Sequence, residues 1–293
     1  MTSPNTARIV LTGAGGLLGS AFRQRLAGAD LMCLGRQALA VERAADWMAR
    51  LQHHKPTLIL HCAADTRVDA AEAEPAAAWQ ANALLPELLA QVARRTGARM
   101  VHFSSTGCYG DAVDGSEAPH GDYAPLLARS AHHRAKVAGE AAVQASGAEA
   151  LILRLGWLYG GGADAPRNFV MARIREARGR DELASDPTQR GNPTWVEDVV
   201  TQTLTLLDAG MTGTFNCVAQ GSATRIEYVQ RILAEAGLTT RLVPQRFHRQ
   251  APVAANEAAR NDKLTWIGLN VMPPWEEALA RYVAQLISSE PAA

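Results

Sequence analysis

Residues 9–19 read IVLTGAGGLLG, a short apolar run that leads directly into a glycine-rich turn at the start of a predicted helix. The spacing G-x-x-G-x-x-G permits a tight turn, close approach of the backbone to a pyrophosphate, and close packing of the helix on the strand. Free N–H groups at the start of the helix would meet the negative charge. The stretch predicts a dinucleotide cradle whose members are Gly13, Gly16, Leu17, Leu18 and Gly19, with both leucines also anchoring the helix in the core.

Apolar runs recur after this turn at residues 31–34, 58–61, 100–103 and 151–155. Between them lie Ala/Leu-rich stretches with helical spacing. Short apolar strands that alternate with helices favour a parallel sheet covered on both faces. We therefore expect an α/β fold with a Rossmann-type, doubly wound parallel sheet over residues 1–155, to which later segments return. Residues 156–293 are expected to form mainly a smaller C-terminal substrate-binding lobe.

The composition is that of a globular chain, with 293 residues of which 47% are hydrophobic and 20% charged. Lysine plus arginine equals aspartate plus glutamate, 29 against 29, so the net charge is zero. A neutral chain carries no bulk electrostatic attraction for nucleic acid or anionic lipid. No stretch approaches the ~18 apolar residues of a membrane span. These features predict neither a nucleic-acid partner nor a membrane partner.

The four cysteines Cys33, Cys62, Cys108 and Cys217 lie far apart and form no CxxC pair. This spacing offers neither a zinc site nor a disulfide framework, so we expect no metal. Scattered cysteines are typical of small buried hydrophobes in a reducing compartment. The first eight residues, MTSPNTAR, lack an apolar signal core. The expected location is the cytoplasm.

The end of the second predicted strand bears on the choice of dinucleotide. Binders of NAD usually place an acidic residue there for the ribose hydroxyls. This chain instead reads CLGRQ at residues 33–37, with no carboxylate to repel a phosphate. Arg36 could hold a phosphate with paired donors, which favours NADP(H). The alternative is that Arg36 is a solvated surface residue.

Further motifs extend along most of the chain, namely HCAADTRVD at 61–69, NAL at 82–84, SSTGCYG at 104–110, KVAGE at 136–140, LRLGWLYG at 153–160, QRGNPT at 189–194 and PPWEEAL at 273–279. On these motifs the chain resembles the extended short-chain dehydrogenase/reductases and, within them, the dTDP-4-dehydrorhamnose reductases. The QRGNPT and PPWEEAL stretches are more specific to that family than the glycine turn, which all dinucleotide-binding relatives share.

The resemblance implies NADPH-dependent reduction of the 4-keto group of a nucleotide-activated 6-deoxysugar, bound between the Rossmann part and the smaller lobe. It also implies cofactor contacts from Ala63, Ala64 and Lys136, and substrate contacts from Thr106, Trp157, Gln189 and Thr194. Trp157 could instead be a core residue, and Thr194 could instead cap the helix that follows it. A homodimer is the assembly that we consider.

The acid position departs from the family pattern. There, a Tyr-x-x-x-Lys pair on one helix face protonates the carbonyl oxygen while a nearby serine or threonine holds it. Lys136 and Ser105 are present, but His132 stands four residues before the lysine. The family's TDY stretch is Ser105-Thr106-Gly107 here, so an aspartate and a tyrosine near the substrate are also missing.

Three interpretations remain open. His132 could replace the phenol as general acid, giving Ser105, His132 and Lys136 as the catalytic set. Tyr123 or Tyr109 could supply the proton instead. Proton transfer could also be lost, leaving a regulatory subunit or a protein that binds cofactor or sugar nucleotide. His133, one position further round the helix, is expected at the surface.

Overall fold

The computed structural model describes residues 7–165 and 167–289. The strands, in chain order, are β1 (Arg8–Thr12), β2 (Asp30–Leu34), β3 (Leu58–His61), β4 (Arg99–Ser105), β5 (Ala150–Leu155), β6 (Trp157–Tyr159), β7 (Glu182–Ser185), β8 (Arg190–Gly191), β9 (Pro193–Trp195), β10 (Gly213–Cys217), β11 (Ala223–Thr224) and β12 (Arg241–Pro244). The helices are α1 (Leu17–Arg25), α2 (Ala44–His54), α3 (Ala70–Ala73), α4 (Pro75–Trp79), α5 (Leu85–Thr96), α6 (Ala131–Ala145), α7 (Phe169–Ala177), α8 (Val196–Asp208), α9 (Arg225–Glu235), α10 (Asp262–Trp266) and α11 (Trp275–Ser289).

Six strands form the central sheet in the order β10-β5-β4-β3-β1-β2, and all neighbours pair in parallel. The strand order reverses at the β1/β3 boundary, where the carboxyl ends of parallel strands leave a crevice for ligands. The predicted α/β, doubly wound fold is confirmed. Strand β10 follows residue 156 and pairs with β5, so the later part of the chain returns to the central sheet.

Helices cover both faces of the sheet because its central strands are apolar on both sides. Along β1, Ile9 and Leu11 point into one core cluster, which includes Phe22 of α1, whereas Val10 points into the other, which includes Leu89 of α5. This alternation is the period of two expected of a strand. The two-sided burial explains why the strands read as continuous apolar runs.

Outside the central sheet there are three two-stranded pairings, β6 with β9, β8 with β11, and β7 with β12. Helix α9 begins with a capping box in which Thr224 and Glu227 satisfy each other's backbone N–H groups. The core cluster on the α1 face of the sheet continues through Tyr228 and Trp275. One hydrophobic cluster therefore joins the central sheet to helices α9 and α11.

The helical stretch from the start of α4 to the end of α5 is interrupted. Helices α4 and α5 are separated by a π-helical turn over Gln80–Leu84. This turn contains the buried Asn82, and π-turns of this kind occur frequently at functional sites. In the described ranges, no helix combines the length and apolar character needed to cross a membrane.

Candidate active site

The glycine turn between β1 and α1 brings two segments of backbone into close approach. Gly13 has φ +68°, and a Cβ there would lie 2.7 Å from the backbone N of Ala63. A Cβ on Gly19 would lie 2.1 Å from the carbonyl oxygen of Gly13. No side chain caps the start of α1 at Gly16, so no capping side chain occupies its first-turn N–H groups. The geometry fits a pyrophosphate against the backbone.

The other predicted cofactor residues surround this turn. The Ala63 N–H donates to Thr12 Oγ1 at 3.1 Å, which places the loop carrying Ala63 and Ala64 beside the glycines. Arg36 begins the 3-10 turn directly after β2 and is exposed. Leu18 is buried in the core, whereas Leu17 is only half-buried against it.

Ser105 ends β4, at the carboxyl edge of the sheet. Its Oγ accepts the Gly107 N–H at 3.2 Å and lies 3.5 Å from Nε2 of His133. The next residue, Thr106, is only 2% exposed, so its side chain presents almost no surface in this conformation.

His133 is buried in the cleft, and the prediction that it lies on the surface is wrong. Its Nδ1 lies 2.9 Å from Oγ of Ser130, which also caps α6 by accepting the His133 backbone N–H. The ring reaches Ser105 because Gly107 has no side chain. A Cβ on Gly107 would lie 2.2 Å from Nε2 of His133.

His132 is also buried, but its ring meets different groups. Its Nδ1 lies 3.4 Å from Nδ2 of Asn82, an amide that also bonds both backbone groups of Asp65. Burial, together with the charges of His133 and Lys136, lowers the pKa of His132 to about 3. His132 is therefore a neutral imidazole near neutral pH. Its predicted role as general acid stays a prediction.

Lys136 lies one turn further along α6, with its Nζ donating to the carbonyl oxygen of Phe103 at 2.8 Å. Burial lowers the pKa of this amine to about 8, so it is mostly protonated at neutral pH. The fold thus brings Ser105, His132, His133 and Lys136 together beside the glycine turn. In the described part of the chain, no group of three or more His, Cys, Asp or Glu residues could hold a metal ion.

The two tyrosines considered as proton donors lie elsewhere. The Tyr109 hydroxyl donates to Asn216 and accepts from Arg154, and burial raises its pKa to about 12. Tyr123 is 74% exposed and stacks on Trp266. The structure therefore places one hydroxyl in a buried polar network and the other at the surface.

Trp157 and Gln189 both contact Arg225, a residue that no sequence motif had indicated. The Arg225 guanidinium carbon lies 3.4 Å from the centroid of the Trp157 ring, and Arg225 Nε donates to Gln189 Oε1 at 3.2 Å. The indole N–H of Trp157 donates to Glu257 Oε2 at 2.8 Å. Burial lowers the pKa of Arg225 to about 10. Arg225 thus occupies a face of the indole that was expected to meet a sugar.

Thr194 is fully buried, with its hydroxyl donating to the Asn192 carbonyl and accepting the Ala219 N–H. The alternative that it caps the next helix is wrong, because the N-cap of α8 is Trp195, without a side-chain hydrogen bond. No sequence signal pairs Trp157 with Glu257, because they lie 100 residues apart in the chain.

A glycine cradle at the carboxyl edge of a doubly wound sheet, with a serine and a buried lysine beside it, defines a Rossmann-type short-chain dehydrogenase/reductase. Residues 7–288 match the family described as RmlD substrate binding domain, and the chain belongs to that family. The family resemblance inferred from the motifs is confirmed.

Curated relatives cover nearly the full length. A dTDP-4-dehydrorhamnose reductase of Mycobacterium tuberculosis (strain ATCC 25618 / H37Rv) is 32% identical over 288 residues, 94% of this chain and 92% of that protein. A probable dTDP-4,6-dihydroxy-2-methyloxan-3-one 4-ketoreductase of Streptomyces antibioticus is 34% identical over 296 residues, 97% of each chain. The solved dTDP-4-dehydrorhamnose reductase from Bacillus anthracis str. Ames, in complex with NADP, has a TM-score of 0.88 at 27% identity and covers 95% of this chain and 99% of its own.

Proposed function

We propose that this protein catalyses the NADPH-dependent reduction of the 4-keto group of a nucleotide-activated 6-deoxysugar. The observation that carries the proposal is the convergence of the glycine turn, Ser105 and Lys136 at one edge of the sheet in a member of the RmlD family. Relatives of similar length named for keto-sugar reduction support it, as does the NADP complex of a solved neighbour.

The dinucleotide would be held by the glycine turn, the Ala63–Ala64 loop, Arg36 and Lys136. Backbone N–H groups at the start of α1 would bind the pyrophosphate, because a helix start binds anions. Arg36 follows a strand that ends without a carboxylate, and its exposed guanidinium would bind a ribose 2′-phosphate. NADPH bound in this way supplies a hydride.

The chain's own residues bind and polarise the ketone. Ser105 Oγ is held by the Gly107 N–H and presents its hydroxyl to the carbonyl oxygen. The Lys136 ammonium, buried behind it on α6, favours negative charge developing on that oxygen. Arg225 and Gln189, next to Trp157, supply donors for the phosphate and hydroxyl oxygens of a nucleotide sugar.

The test is NADPH oxidation by the purified protein with a dTDP-4-keto-6-deoxyhexose, with NADPH binding measured on the same sample. We expect turnover in the wild type and a loss of about 100-fold or more in Ser105→Ala, because the carbonyl oxygen loses its donor. NADPH affinity of Ser105→Ala should stay within a few-fold of wild type. Binding of NADPH without oxidation would contradict the proposal and support the regulatory or binding role.

A further inference from the structure

The imidazole of His133 connects two hydroxyl groups in the cleft. Its Nε2 faces Ser105 Oγ at 3.5 Å, and its Nδ1 faces Ser130 Oγ at 2.9 Å. Catalytic hydrogen bonds are often long in a ligand-free site and shorten in the complex. Among the histidines that the structure describes, His133 is therefore the one whose ring lies within reach of Ser105, the serine that would hold the ketone oxygen.

The hydrogen bonds around Ser105 leave one proton for a ligand. A serine hydroxyl has two lone pairs and one O–H. The Gly107 N–H uses one lone pair, and Nε2–H of His133 can use the other. The O–H of Ser105 is then left to donate to a ketone, and donors directed at Oγ favour the charged form of that hydroxyl.

Ser130 accommodates both protonation states of the ring. Its Oγ accepts the His133 backbone N–H at 3.2 Å with one lone pair. The second lone pair can accept Nδ1–H of an imidazolium, or the hydroxyl can rotate and donate to a neutral Nδ1. The N-cap of α6 thus fixes the ring while it gains and loses a proton.

We infer that His133, acting through Ser105, is the source of the proton in the reduction; this inference rests on the proposed function. The hydride forms the new C–H bond at the carbonyl carbon, and NADPH is oxidised to NADP⁺. The oxygen takes the Ser105 O–H proton, and Ser105 takes the Nε2 proton of the His133 imidazolium. The neutral ring takes up H⁺ from the solvent, so ketone, NADPH and H⁺ give alcohol and NADP⁺.

The charges around the two histidines differ. Burial lowers the pKa of His133, Lys136 and Arg249 add to this, and the Glu257 carboxylate opposes it. Cys108 and His132 are its other titratable neighbours. Burial with the charges of His133 and Lys136 lowers the pKa of His132, and Asp65 opposes this. The ring of His132 faces the Asn82 amide, whereas the ring of His133 faces Ser105 Oγ. His133 is therefore the histidine placed to pass a proton to Ser105.

The experiment compares His133→Ala with the neighbouring His132→Ala, using NADPH oxidation, NADPH binding and thermal unfolding. We expect kcat of His133→Ala to fall by about 100-fold or more, the size of a general-acid effect, with NADPH affinity within about threefold of wild type. Added imidazole should restore turnover to His133→Ala in proportion to the imidazolium concentration. His132→Ala should lose less activity and gain nothing from imidazole.

The pH dependence separates proton transfer from a structural role. Because the acid form is required and burial lowers its pKa from the usual 6.5, kcat/KM of the wild type should fall as the pH rises above about 6.5, with the slope of log kcat/KM approaching −1. His132→Ala should keep that slope and His133→Ala should lose it. If His133→Ala fails to fold, His133→Asn, which keeps a side-chain N–H but cannot pass on a proton, should show the same loss.

The outcomes distinguish this inference from the function on which it rests. A wild type that binds NADPH but reduces no keto-sugar overturns both. A wild type with turnover, beside a His133→Ala variant within about threefold of it, overturns only the role of His133. Rescue by imidazole confined to His132→Ala would also overturn it and would assign the proton to His132.

Discussion

The ring of His133 occupies the volume that any side chain larger than hydrogen would need at Gly107, since a Cβ there would lie 2.2 Å from Nε2. Gly107 lies in the turn after β4, and His133 lies in the first turn of α6. The family resemblance implies a tyrosine at position 107, where this chain has glycine. The absence of a side chain at Gly107 therefore makes room for the inward position of the His133 ring.

We expect Gly107→Ala to push the His133 ring away from Ser105 and to lower kcat by about 10- to 100-fold, part of the effect of a general acid. NADPH affinity should change little, because Gly107 lies outside the glycine turn. Gly162→Ala is the matched control, since a Cβ there meets nothing within 4 Å. Steady-state kinetics check this prediction. An unchanged kcat in Gly107→Ala would show that turnover does not depend on the position of the His133 ring.

Replacing Arg36 should change the preference between the two nicotinamide dinucleotides. Loss of a charge-assisted contact to a 2′-phosphate is expected to weaken NADPH binding by about 10- to 100-fold, whereas NADH has no such phosphate to lose. Fluorescence titration of Arg36→Ala with both dinucleotides measures this. Gln37→Ala, in the same turn, is the control, and an equal loss for NADH would contradict the assignment.

The ion pair between Arg154 and Glu140 should dominate the stability of the sheet's polar interior. Their side chains are 8% and 2% exposed, and Nη2 of Arg154 lies 2.7 Å from Oε2 of Glu140. Arg154→Met strands a buried carboxylate, so we expect a loss of about 3–5 kcal/mol in the free energy of unfolding. The more exposed Arg180–Glu176 pair should contribute under about 1 kcal/mol, as urea denaturation of Arg180→Met can check. Equal losses would contradict the prediction.

Buried neutral histidines should make the fold sensitive to acid. Burial holds the pKa of His102 well below 6.5, and within the described ranges neither ring nitrogen has a hydrogen-bond partner. The unfolded chain takes up a proton near pH 6.5 and the folded chain does not, so stability falls as pH drops below that value. When the pH is lowered from 7.5 to 5, the free energy of unfolding of His102→Leu should fall by about 2 kcal/mol less than that of the wild type. Identical pH profiles in urea denaturation would show that His102 has the same pKa in the folded and the unfolded chain.

The sequence predicted the sheet because its signals are local. A strand that is buried on both faces must be apolar throughout, and a turn that brings Gly13 against Ala63 tolerates no Cβ. The sequence also indicates the start of α6, because serine, here Ser130, is a favoured N-cap residue. The apolar runs, the glycine spacing and the N-cap serine are each visible within a few consecutive residues, so a single sequence carries them.

The details of the site depend on contacts between distant segments. Helical spacing put His133 on another face than Lys136, but the direction of its ring is set by the missing side chain 26 positions earlier, at Gly107. Arg225 stacks on Trp157 only because α9 returns to β6. Glycine at residue 107, where the family pattern has a bulky residue, was the signal in the sequence that could have located His133.

The most direct test of the central claim follows the hydride itself. The protein is incubated with a dTDP-4-keto-6-deoxyhexose and NADPH carrying deuterium at C4 of the nicotinamide, prepared separately on each face. NMR and mass spectrometry of the product sugar then locate the label. We predict one deuterium at C4 of the sugar from one of the two cofactor samples, with one NADP⁺ formed per alcohol. Bound NADPH that stays reduced, beside a sugar that gains no deuterium, would contradict the account.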